Sequence, residues 1–188
     1  MIEALRKRRT YYNLGKEIPV SEEEVFDFIK EATELVPDAF DMKSTRIVVL
    51  SGEKQEELWD KIYDEFEGKV PREKIDGFKN AFGTILYFYD DEVVKGLQEQ
   101  FPPYADNFPN WAMQSSAMLQ ISIWSGLREM NIGANIQHYN PVIDDMIRNL
   151  YNLPDSYKLV GQMPFGEILS EPSAKEKEDI SKRVIILP

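Results

Sequence analysis

The most concentrated chemical feature of the sequence is a run of four basic residues, Arg6, Lys7, Arg8 and Arg9, in a chain of formal net charge −11 at pH 7. Four adjacent like charges repel one another, so they need either free access to water or an anionic partner. One interpretation is a solvated helix end, where cations also complement the helix dipole. The other is a phosphate clamp, because a guanidinium is a planar fork of donors suited to phosphate oxygens, and Thr10 could add a hydroxyl. The spacing leaves both interpretations open.

Other nucleotide-binding and catalytic patterns are missing from the sequence. No G-x-G-x-x-G or G-x-x-x-x-G-K-[ST] motif occurs, so a nucleotide-type ligand would have to be held by side chains. His138 is the one histidine and cysteine is absent, which excludes multi-histidine metal motifs, thiolate catalysis and disulfides. No G-x-S-x-G motif accompanies the serines, and we interpret Ser115 and Ser116, inside a helical pattern, as small packing residues. Hydrolysis by protein groups alone is poorly supported, and no metal site is expected.

Aromatic side chains are numerous enough to line a flat apolar site for a ring system. The candidates are Tyr11, Tyr12, Phe40, Trp111, Trp124, His138 and Tyr139. The competing interpretation is that most of them are core residues, and for Trp124 we favour the core. His138 and Tyr139 fall in 134–141, a polar, non-periodic segment between two helical patterns, and such loops often carry function.

Length and composition define the kind of protein that must position these residues. A chain of 188 residues, 43% of them hydrophobic, can form one domain with a sizeable core. We expect a single domain over 1–188, with 170–188 as a C-terminal arm. The net acidity argues against a nucleic-acid surface, and no apolar run approaches the ~20 residues that span a bilayer. The start, MIEALRKRR, lacks the apolar stretch of a secretory signal, so we expect a soluble, cytoplasmic protein without a membrane or nucleic-acid partner.

Hydrophobic periodicity predicts helices and strands interspersed without regular βαβ units, which is the α+β class. The predicted helices cover 1–8, the stretch from the capping box 21–24 to just before Pro37, 53–66, 72–80, 91–99, 108–130 and 141–150. The predicted strands are 46–50, 83–89, 157–163 and 183–187. We expect strand 46–50 to be buried, Asn131-Ile132-Gly133 to end the longest helix with its glycine past the terminus, and Pro141 to occupy the first turn of the last helix.

Three segments, in this order, resemble the FMN-dependent nitroreductase family. The first, Arg8-Arg9-Thr10-Tyr11-Tyr12-Asn13-Leu14, is similar to the family's R-R-S-x-R-x-F signature. The second, PDAFDMKSTRIVV over 37–49, is similar to P-S-A-x-N-x-Q-P-W-R-F-x-V. The third combines GANIQHYNP at 133–141 with Leu153-Pro154 and QMPFG at 162–166, and it resembles the subgroup described as nitroreductase-like fatty-acid-repression proteins. The resemblance runs from Arg6 to the last strand.

The resemblance implies a nitroreductase-like fold, in which helices flank a central, mostly antiparallel sheet, and a domain-exchanged homodimer with two FMN molecules at the subunit interface. The long helix over 108–130 would be central to each subunit. The terminal strand 183–187 would leave its own subunit and join the partner's sheet. An apolar end after a charged arm is consistent with such an exchange.

The resemblance also implies a set of FMN-binding residues. Near the phosphate and ribityl chain it places Arg8, Arg9, Thr10 and Tyr12, with Lys175 as a second phosphate contact and Lys177 as the alternative to it. From the other subunit it places Phe40, Asp41 and Lys43 at the border of the flavin. Against the isoalloxazine, near N5, it places Ile136, Gln137, His138, Tyr139 and Asn140.

The implied activity is that of an oxidoreductase in which the flavin does the chemistry. NADH or NADPH would deliver a hydride to the flavin and leave, and a small planar acceptor, a nitroaromatic or a quinone, would then be reduced in a ping-pong cycle. His138 either donates a hydrogen bond or a proton to the acceptor, or only packs and orients its loop.

Four positions depart from the family pattern. Tyr12 stands where Arg or Lys is usual, Asp41 and Lys43 replace Asn and Gln, and Asp38 replaces a small hydroxyl residue. Charges at 41 and 43 could shift the flavin's potential or its choice of substrate. Two other hypotheses therefore stay open: a flavin-binding sensor or regulator with little turnover, and a structural dimer that has lost the flavin.

Overall fold

An antiparallel sheet organises the chain, and the structure, a computed structural model, describes residues 1–176 and 178–187. The α-helices are α1 (Ile2–Lys7), α2 (Glu22–Leu35), α3 (Gly52–Glu65), α4 (Arg72–Lys79), α5 (Asp91–Gln100), α6 (Phe108–Glu129) and α7 (Asp144–Tyr151). The strands are β1 (Leu14–Gly15), β2 (Thr45–Ser51), β3 (Gly83–Asp90), β4 (Gly133–Ala134) and β5 (Tyr157–Ile168). Short 3-10 helices occur at Ala39–Asp41, Pro102–Asn107 and Ile180–Lys182. The α+β prediction is confirmed.

The strand order is β1-β5-β3-β2, with β4 also pairing with β5, and every pairing is antiparallel. Strand β3 is central, and both of its faces are covered. Ile85 and Tyr87 pack into a cluster with α2 and α6, whereas Leu86 and Phe88 pack into a cluster with α3, α4 and α7. The alternation of side chains along a strand therefore explains why the run GTILYFY carries hydrophobic residues at consecutive positions from Ile85 onward, since both faces need burial.

Strand β2 is an edge strand, because only β3 pairs with it in the described chain. Most of its residues are half-buried, so the expectation of a buried strand at 46–50 was wrong in degree although the strand itself is present. The central position belongs to β3 instead. A β-branched run is typical of both kinds of strand, and local sequence does not say which neighbour will cover it.

The predicted helices appear within a few residues of their expected bounds, with two corrections at their ends. Helix α2 begins as its capping box requires, since the Ser21 side chain accepts a hydrogen bond from the Glu24 amide at 3.2 Å. The chain leaves α6 through Asn131, which has φ +59°, while Gly133 already belongs to β4. Pro141 lies in a turn before α7, which begins at Asp144. Asn tolerates the left-handed conformation, so it can replace the expected glycine.

The predicted strand 183–187 is not a strand in this chain. Its apolar residues Val184, Ile185, Ile186 and Leu187 are 52–87% exposed. A strand needs a neighbour to pair its backbone groups, and within the described residues this segment has none. The arm that contains it leaves the sheet after β5 and carries only the 3-10 helix at Ile180–Lys182 among its described residues.

Candidate functional site

The basic run at the N-terminus is divided by the end of α1. Arg6 is exposed and forms an ion pair with Glu3, one helical turn earlier. This is the arrangement expected of a solvated helix end. Arg8 leaves the helix in an extended conformation, and both Arg8 and Arg9 are partly buried. The interpretation as a helix end therefore applies to Arg6, and Arg8 and Arg9 are the candidates for an anion clamp.

Arg8 and Arg9 together form a cationic site with unused donors. The Nε atoms of both are buried and have no hydrogen-bond partner within the described chain. The Arg8 guanidinium lies over the Trp124 ring, 4.3 Å from its centroid, and an Arg9 Nη2 donates to the Ser173 carbonyl. Burial and the charge of Arg9 lower the pKa of Arg8 from its usual value. An anion here would relieve the repulsion and accept the unused hydrogen bonds.

The segment after the arginines is fixed by two hydrogen bonds to its backbone. The Tyr11 amide donates to the Ala134 carbonyl at 3.0 Å, and the Tyr11 carbonyl accepts from Asn135 Nδ2 at 2.7 Å. Asn135 is fully buried, and its Oδ1 accepts from Gln137 at 2.7 Å. Asn135 therefore joins the N-terminal segment to the loop predicted to face the flavin. Sequence reasoning missed this role, although a short polar residue inside a functional-looking loop was visible.

The loop 135–140 is partly an extension of the sheet. Gln137 forms an antiparallel bridge with Gln162, with N–H···O distances of 2.7 and 3.0 Å, and the Tyr139 amide donates to Gln162 Oε1 at 2.9 Å. Ile136 packs against the α2–α6 cluster and Asn140 donates to the Leu159 carbonyl at 3.4 Å. The backbone of the predicted site loop is therefore held firmly by β5.

Two side chains of this loop have different surroundings. His138 is exposed, and its ring lies over Gly161, where an added Cβ would be 3.6 Å from the imidazole. Tyr139 instead turns into the protein, with ring centroids 5.2 Å from Phe66 and 6.1 Å from Trp59. Burial raises the pKa of Tyr139. Of the two, His138 is the side chain available to a ligand on the surface of the loop.

The loop 37–44 is held by Asp38. This carboxylate accepts hydrogen bonds from the Ser44 amide and hydroxyl, both at 2.8 Å, and from the Ser115 hydroxyl at 2.6 Å. Ser44 and Ser115 are fully buried. The residue that departs from the family's small hydroxyl is thus the acceptor that ties the loop to α6, and Ser115 does more than fill space.

The same loop presents its next residues in a left-handed conformation. Phe40, Asp41 and Lys43 have φ of +56°, +51° and +51°. Such values strain a bulky residue, and they persist where surrounding contacts over-determine the backbone. Phe40 is stacked on Trp111 with centroids 5.6 Å apart, yet 49% of it is exposed. Asp41 and Lys43 project into solvent and pair with each other at 3.3 Å.

The aromatic candidates do not form one wall within a single chain. Trp111 belongs to a cluster near the start of α6, and Phe40 packs on its ring. Tyr139 lies on the α3–α4–α7 side of the sheet, Tyr11 in a small N-terminal cluster, and Trp124 on the α2–α6 side. The core interpretation of Trp124 holds in part, since its ring packs on that cluster, but the ring also contacts the Arg8 guanidinium.

A cleft beside the loop 135–140 contains a cation, Lys74, that the sequence did not point to. Tyr12, which is 60% exposed, lines it together with Lys74 of α4. The Lys74 ammonium lies 5.7 Å from the centroid of the Tyr139 ring. A lone lysine in a polar helix carries no sequence signal, and only the fold brings it beside residues 12 and 139.

The remaining candidates lie outside this arrangement. Lys175 is exposed on the C-terminal arm, and its alternative, Lys177, lies outside the described residues. No group of three or more His, Asp or Glu residues with metal-binding geometry occurs within 1–176 and 178–187. Likewise, none of the helices in the described part of the chain has the length and hydropathy to cross a bilayer.

Comparison with known proteins identifies the class. The model of the nitroreductase family matches residues 5–167, so the chain belongs to the nitroreductase family, whose members are oxidoreductases. The nitroreductase CinD from Lactococcus lactis, solved with chloramphenicol, nicotinic acid and 4-nitrophenol, is 45% identical. Coverage is 100% of this chain and 99% of CinD, with TM-scores of 0.95, 0.96 and 0.94. HBN1 of Saccharomyces cerevisiae is 30% identical over 177 residues, 93% of this chain and 91% of HBN1.

Proposed function

We propose that this chain is an FMN-dependent oxidoreductase that uses NADH or NADPH to reduce small planar acceptors of the nitroaromatic or quinone class. The observation that carries the proposal is the pair of partly buried guanidinium groups, Arg8 and Arg9, each with an Nε that lacks a partner in the described chain. A phosphate supplies the negative charge and the oxygen acceptors that this pair requires. Family membership supports reading that phosphate as part of FMN.

The residues present fit FMN in a consistent arrangement. Arg8, Arg9 and Thr10 would hold the phosphate and the ribityl chain, with Tyr12 beside them and Lys175 or Lys177 as a further phosphate contact. The loop Ile136–Asn140, fixed by Gln162, would support the ring, and the exposed His138 would face it. Lys74 adds a positive charge beside this loop. The Phe40, Asp41 and Lys43 of a second copy would border the ring from the other side.

When bound, FMN would supply two-electron redox chemistry, taken up as a hydride from the reduced nicotinamide and passed on to the acceptor together with a proton from solvent or from His138, so the two substrates would use one face in turn. The chain's own residues hold the ring and shape the pocket above it. The solved complexes of CinD with a nitrophenol, with chloramphenicol and with nicotinic acid support substrates of this size and planarity. His138 keeps both of its possible roles, as a donor to the acceptor or as a packing residue.

The groove beside β2 supports the proposed strand exchange. Its volume is about 780 Å³, and it is lined by α2, by the loop 37–44 and by β2, one edge of which pairs with no strand in the described chain. Its apolar lining comprises Phe26, Ile29, Val36, Ile47 and Val49. The exposed apolar segment 184–187 has the matching chemistry, and an edge strand offers unpaired backbone groups to it. We therefore place the segment 183–187 of a second copy along β2 in a homodimer.

The dimer is tested by Ile185→Asp combined with Ile186→Asp, followed by size-exclusion chromatography with light scattering. We expect the variant to be monomeric and to lose FMN, since Phe40 of the second copy is removed from the site. Val142→Asp is the matched control, because Val142 is an apolar residue with 51% exposure elsewhere on the surface. A wild-type chain that is monomeric with bound FMN would contradict this assembly.

Purified protein tests the activity directly. We expect a flavin absorption spectrum that bleaches under anaerobic conditions on addition of NADH or NADPH and recovers on addition of 4-nitrophenol. Arg8→Met and Arg9→Met should each lose flavin, whereas Arg6→Met should retain it, because Arg6 is exposed and pairs with Glu3. Colourless protein that does not bind added FMN would refute the proposal.

One observation favours the alternative of a flavin-binding sensor with little turnover. Asp41 and Lys43, which replace neutral amides, pair with each other 3.3 Å apart on the exposed loop. Groups that satisfy each other are less available to a flavin edge. In the same experiment, yellow protein that fails to bleach with either nicotinamide would support the sensor and contradict the enzyme.

A further inference from the structure

Trp124 is the side chain that contacts Arg8, and it is anchored by its other edge. It lies on α6, half-buried against the α2–α6 cluster, and its indole N–H donates to the Ala134 carbonyl at 3.1 Å. The face of the indole carries the Arg8 guanidinium, with Cζ 4.3 Å from the ring centroid. One edge of the indole is therefore hydrogen-bonded to the backbone, and one face is in contact with the Arg8 guanidinium.

This kind of contact leaves the donors of an arginine free. The attraction between a cation and an aromatic face is electrostatic and uses none of the five guanidinium N–H groups. Nε of Arg8 indeed has no partner in the described part of the chain. A carboxylate in the same place would neutralise the arginine and occupy its donors, whereas an indole holds it in position and keeps it available to an anion.

The Ala134 carbonyl that anchors Trp124 also anchors the backbone of the arginine segment. It accepts a second hydrogen bond, from the Tyr11 amide at 3.0 Å, and the Tyr11 carbonyl is held by Asn135 at 2.7 Å. The side chain of Arg8 and the backbone three residues later are therefore positioned by the same peptide. Such a shared anchor limits how far the guanidinium can move relative to the loop 135–140.

We propose that Trp124 is a positioning residue for the phosphate-binding Arg8, a cation–π platform that holds the guanidinium with its donors open. This inference rests on the proposed function, since it assumes that the anion at Arg8 is the phosphate of FMN. It predicts that Trp124 acts on FMN affinity through Arg8 and not through general support of the core.

A double-mutant cycle on the full-length protein separates these two routes. The dissociation constant of FMN is measured by flavin fluorescence quenching for the wild type, Trp124→Leu, Arg8→Met and the double variant. We expect Trp124→Leu to weaken FMN binding about tenfold, the order of one partly desolvated cation–π contact. In the Arg8→Met background the same substitution should change affinity less than about twofold, because the partner is already gone.

Two controls distinguish the platform from lost packing. Trp124→Phe keeps an aromatic face and should recover most of the affinity, to within about threefold of the wild type. Phe28→Leu removes an aromatic side chain from the same cluster, where it packs against Gly126 of α6, and should leave FMN affinity unchanged. Riboflavin, which lacks the phosphate, should bind the wild type and Trp124→Leu equally.

The outcomes separate this inference from the proposed function. If the wild type binds FMN but Trp124→Leu weakens FMN binding by the same factor with and without Arg8→Met, the role of Trp124 is overturned and the proposed function stands. Equal losses of FMN and riboflavin in Trp124→Leu likewise assign Trp124 to the core and overturn the inference. A wild-type chain that binds no FMN overturns the proposed function and this inference with it.

Discussion

Replacing Asp38 by alanine removes the acceptor that ties the loop 37–44 to α6. The carboxylate accepts three hydrogen bonds, from the amide and hydroxyl of Ser44 and from the hydroxyl of Ser115. Both serines are fully buried, so water cannot readily replace the lost acceptor. We expect Asp38→Ala to be among the more destabilising single substitutions in this chain.

The expected loss of unfolding free energy depends on whether each of the three donors can find another acceptor once Asp38 is replaced. The Ser44 amide cannot turn to another partner, and a buried donor left unsatisfied costs about 1–3 kcal/mol. The two hydroxyl groups can rotate, and that of Ser115 already lies 3.4 Å from the Pro37 carbonyl. Each therefore loses only about 0.5–1 kcal/mol. The sum is about 3 kcal/mol of unfolding free energy.

The assay is urea unfolding followed by tryptophan fluorescence, at one protein concentration for all variants because dimerisation would shift the midpoint. With a slope of about 2 kcal/mol per molar urea, the midpoint of Asp38→Ala should fall by about 1.5 M. Asp38→Asn should lose only about 1 kcal/mol, since its oxygen can still accept from Ser44 while its amide donates to Ser115.

Asp41→Asn is the matched control, because it neutralises an exposed carboxylate in the same loop and keeps a residue that tolerates φ of +51°. It should change the unfolding free energy by less than about 0.5 kcal/mol. The reasoning would be refuted by a loss below about 1 kcal/mol in Asp38→Ala, or by an Asp41→Asn effect of the same size.

Three further predictions concern other parts of the molecule. For His138→Gln we expect turnover with 4-nitrophenol within about threefold of the wild type across pH 5–8, because water can supply protons at an exposed site; a loss of tenfold or more would instead make His138 a proton donor. The hydrogen bond from Lys79, followed by that from Arg72, lowers the pKa of Asp60, so its carboxylate stabilises the fold above its unfolded pKa and loses this effect as pH falls through the folded value. Asp60→Asn should accordingly cost about 0.5–1 kcal/mol in urea unfolding at pH 7, a cost that disappears as the pH falls through the folded pKa of Asp60, and a pH-independent cost would disprove the ionic origin. Asn135→Ala should lower the unfolding free energy by about 2 kcal/mol, because Tyr11 and Gln137 each lose a buried hydrogen-bond partner. Asn135→Asp should not restore the lost stability, since an aspartate cannot donate to the Tyr11 carbonyl. Full stability in either variant would contradict the role of Asn135 in joining the N-terminal segment to the loop 135–140.

The secondary structure was largely predictable because its determinants are local. The capping box at Ser21 and the period of apolar residues after it define α2, and the run GTILYFY defines β3. The errors came where a distant partner decides the outcome. Strand β2 proved to be an edge strand, and the segment 183–187 forms no strand within its own chain. A sequence rich in β-forming residues has a preference for extended backbone, but whether it pairs as a strand depends on which neighbouring strand the fold supplies.

The candidate site residues were recognisable in the sequence, whereas their geometry was not. The basic run, the polar loop 134–141 and their resemblance to the nitroreductase family were legible in the residue types, and the family is confirmed. The loop's support by Gln162, the hub at Asn135 and the cation at Lys74 were not, because each joins segments far apart in sequence. The type of a polar residue defines its donors and acceptors, but its hydrogen-bond partners depend on the path of the rest of the chain.

The sequence by itself determined that this protein is an acidic α+β chain of the nitroreductase family with a cationic cluster at its N-terminus. Only the tertiary structure distinguished those cations from one another by their surroundings. Arg6 pairs with Glu3 in solvent, whereas Arg8 is partly buried over Trp124 with its Nε unpartnered in the described chain. The physical reason is burial: basic residues close together in sequence are equivalent until the fold removes water from one of them and leaves a donor without a protein partner among the described residues.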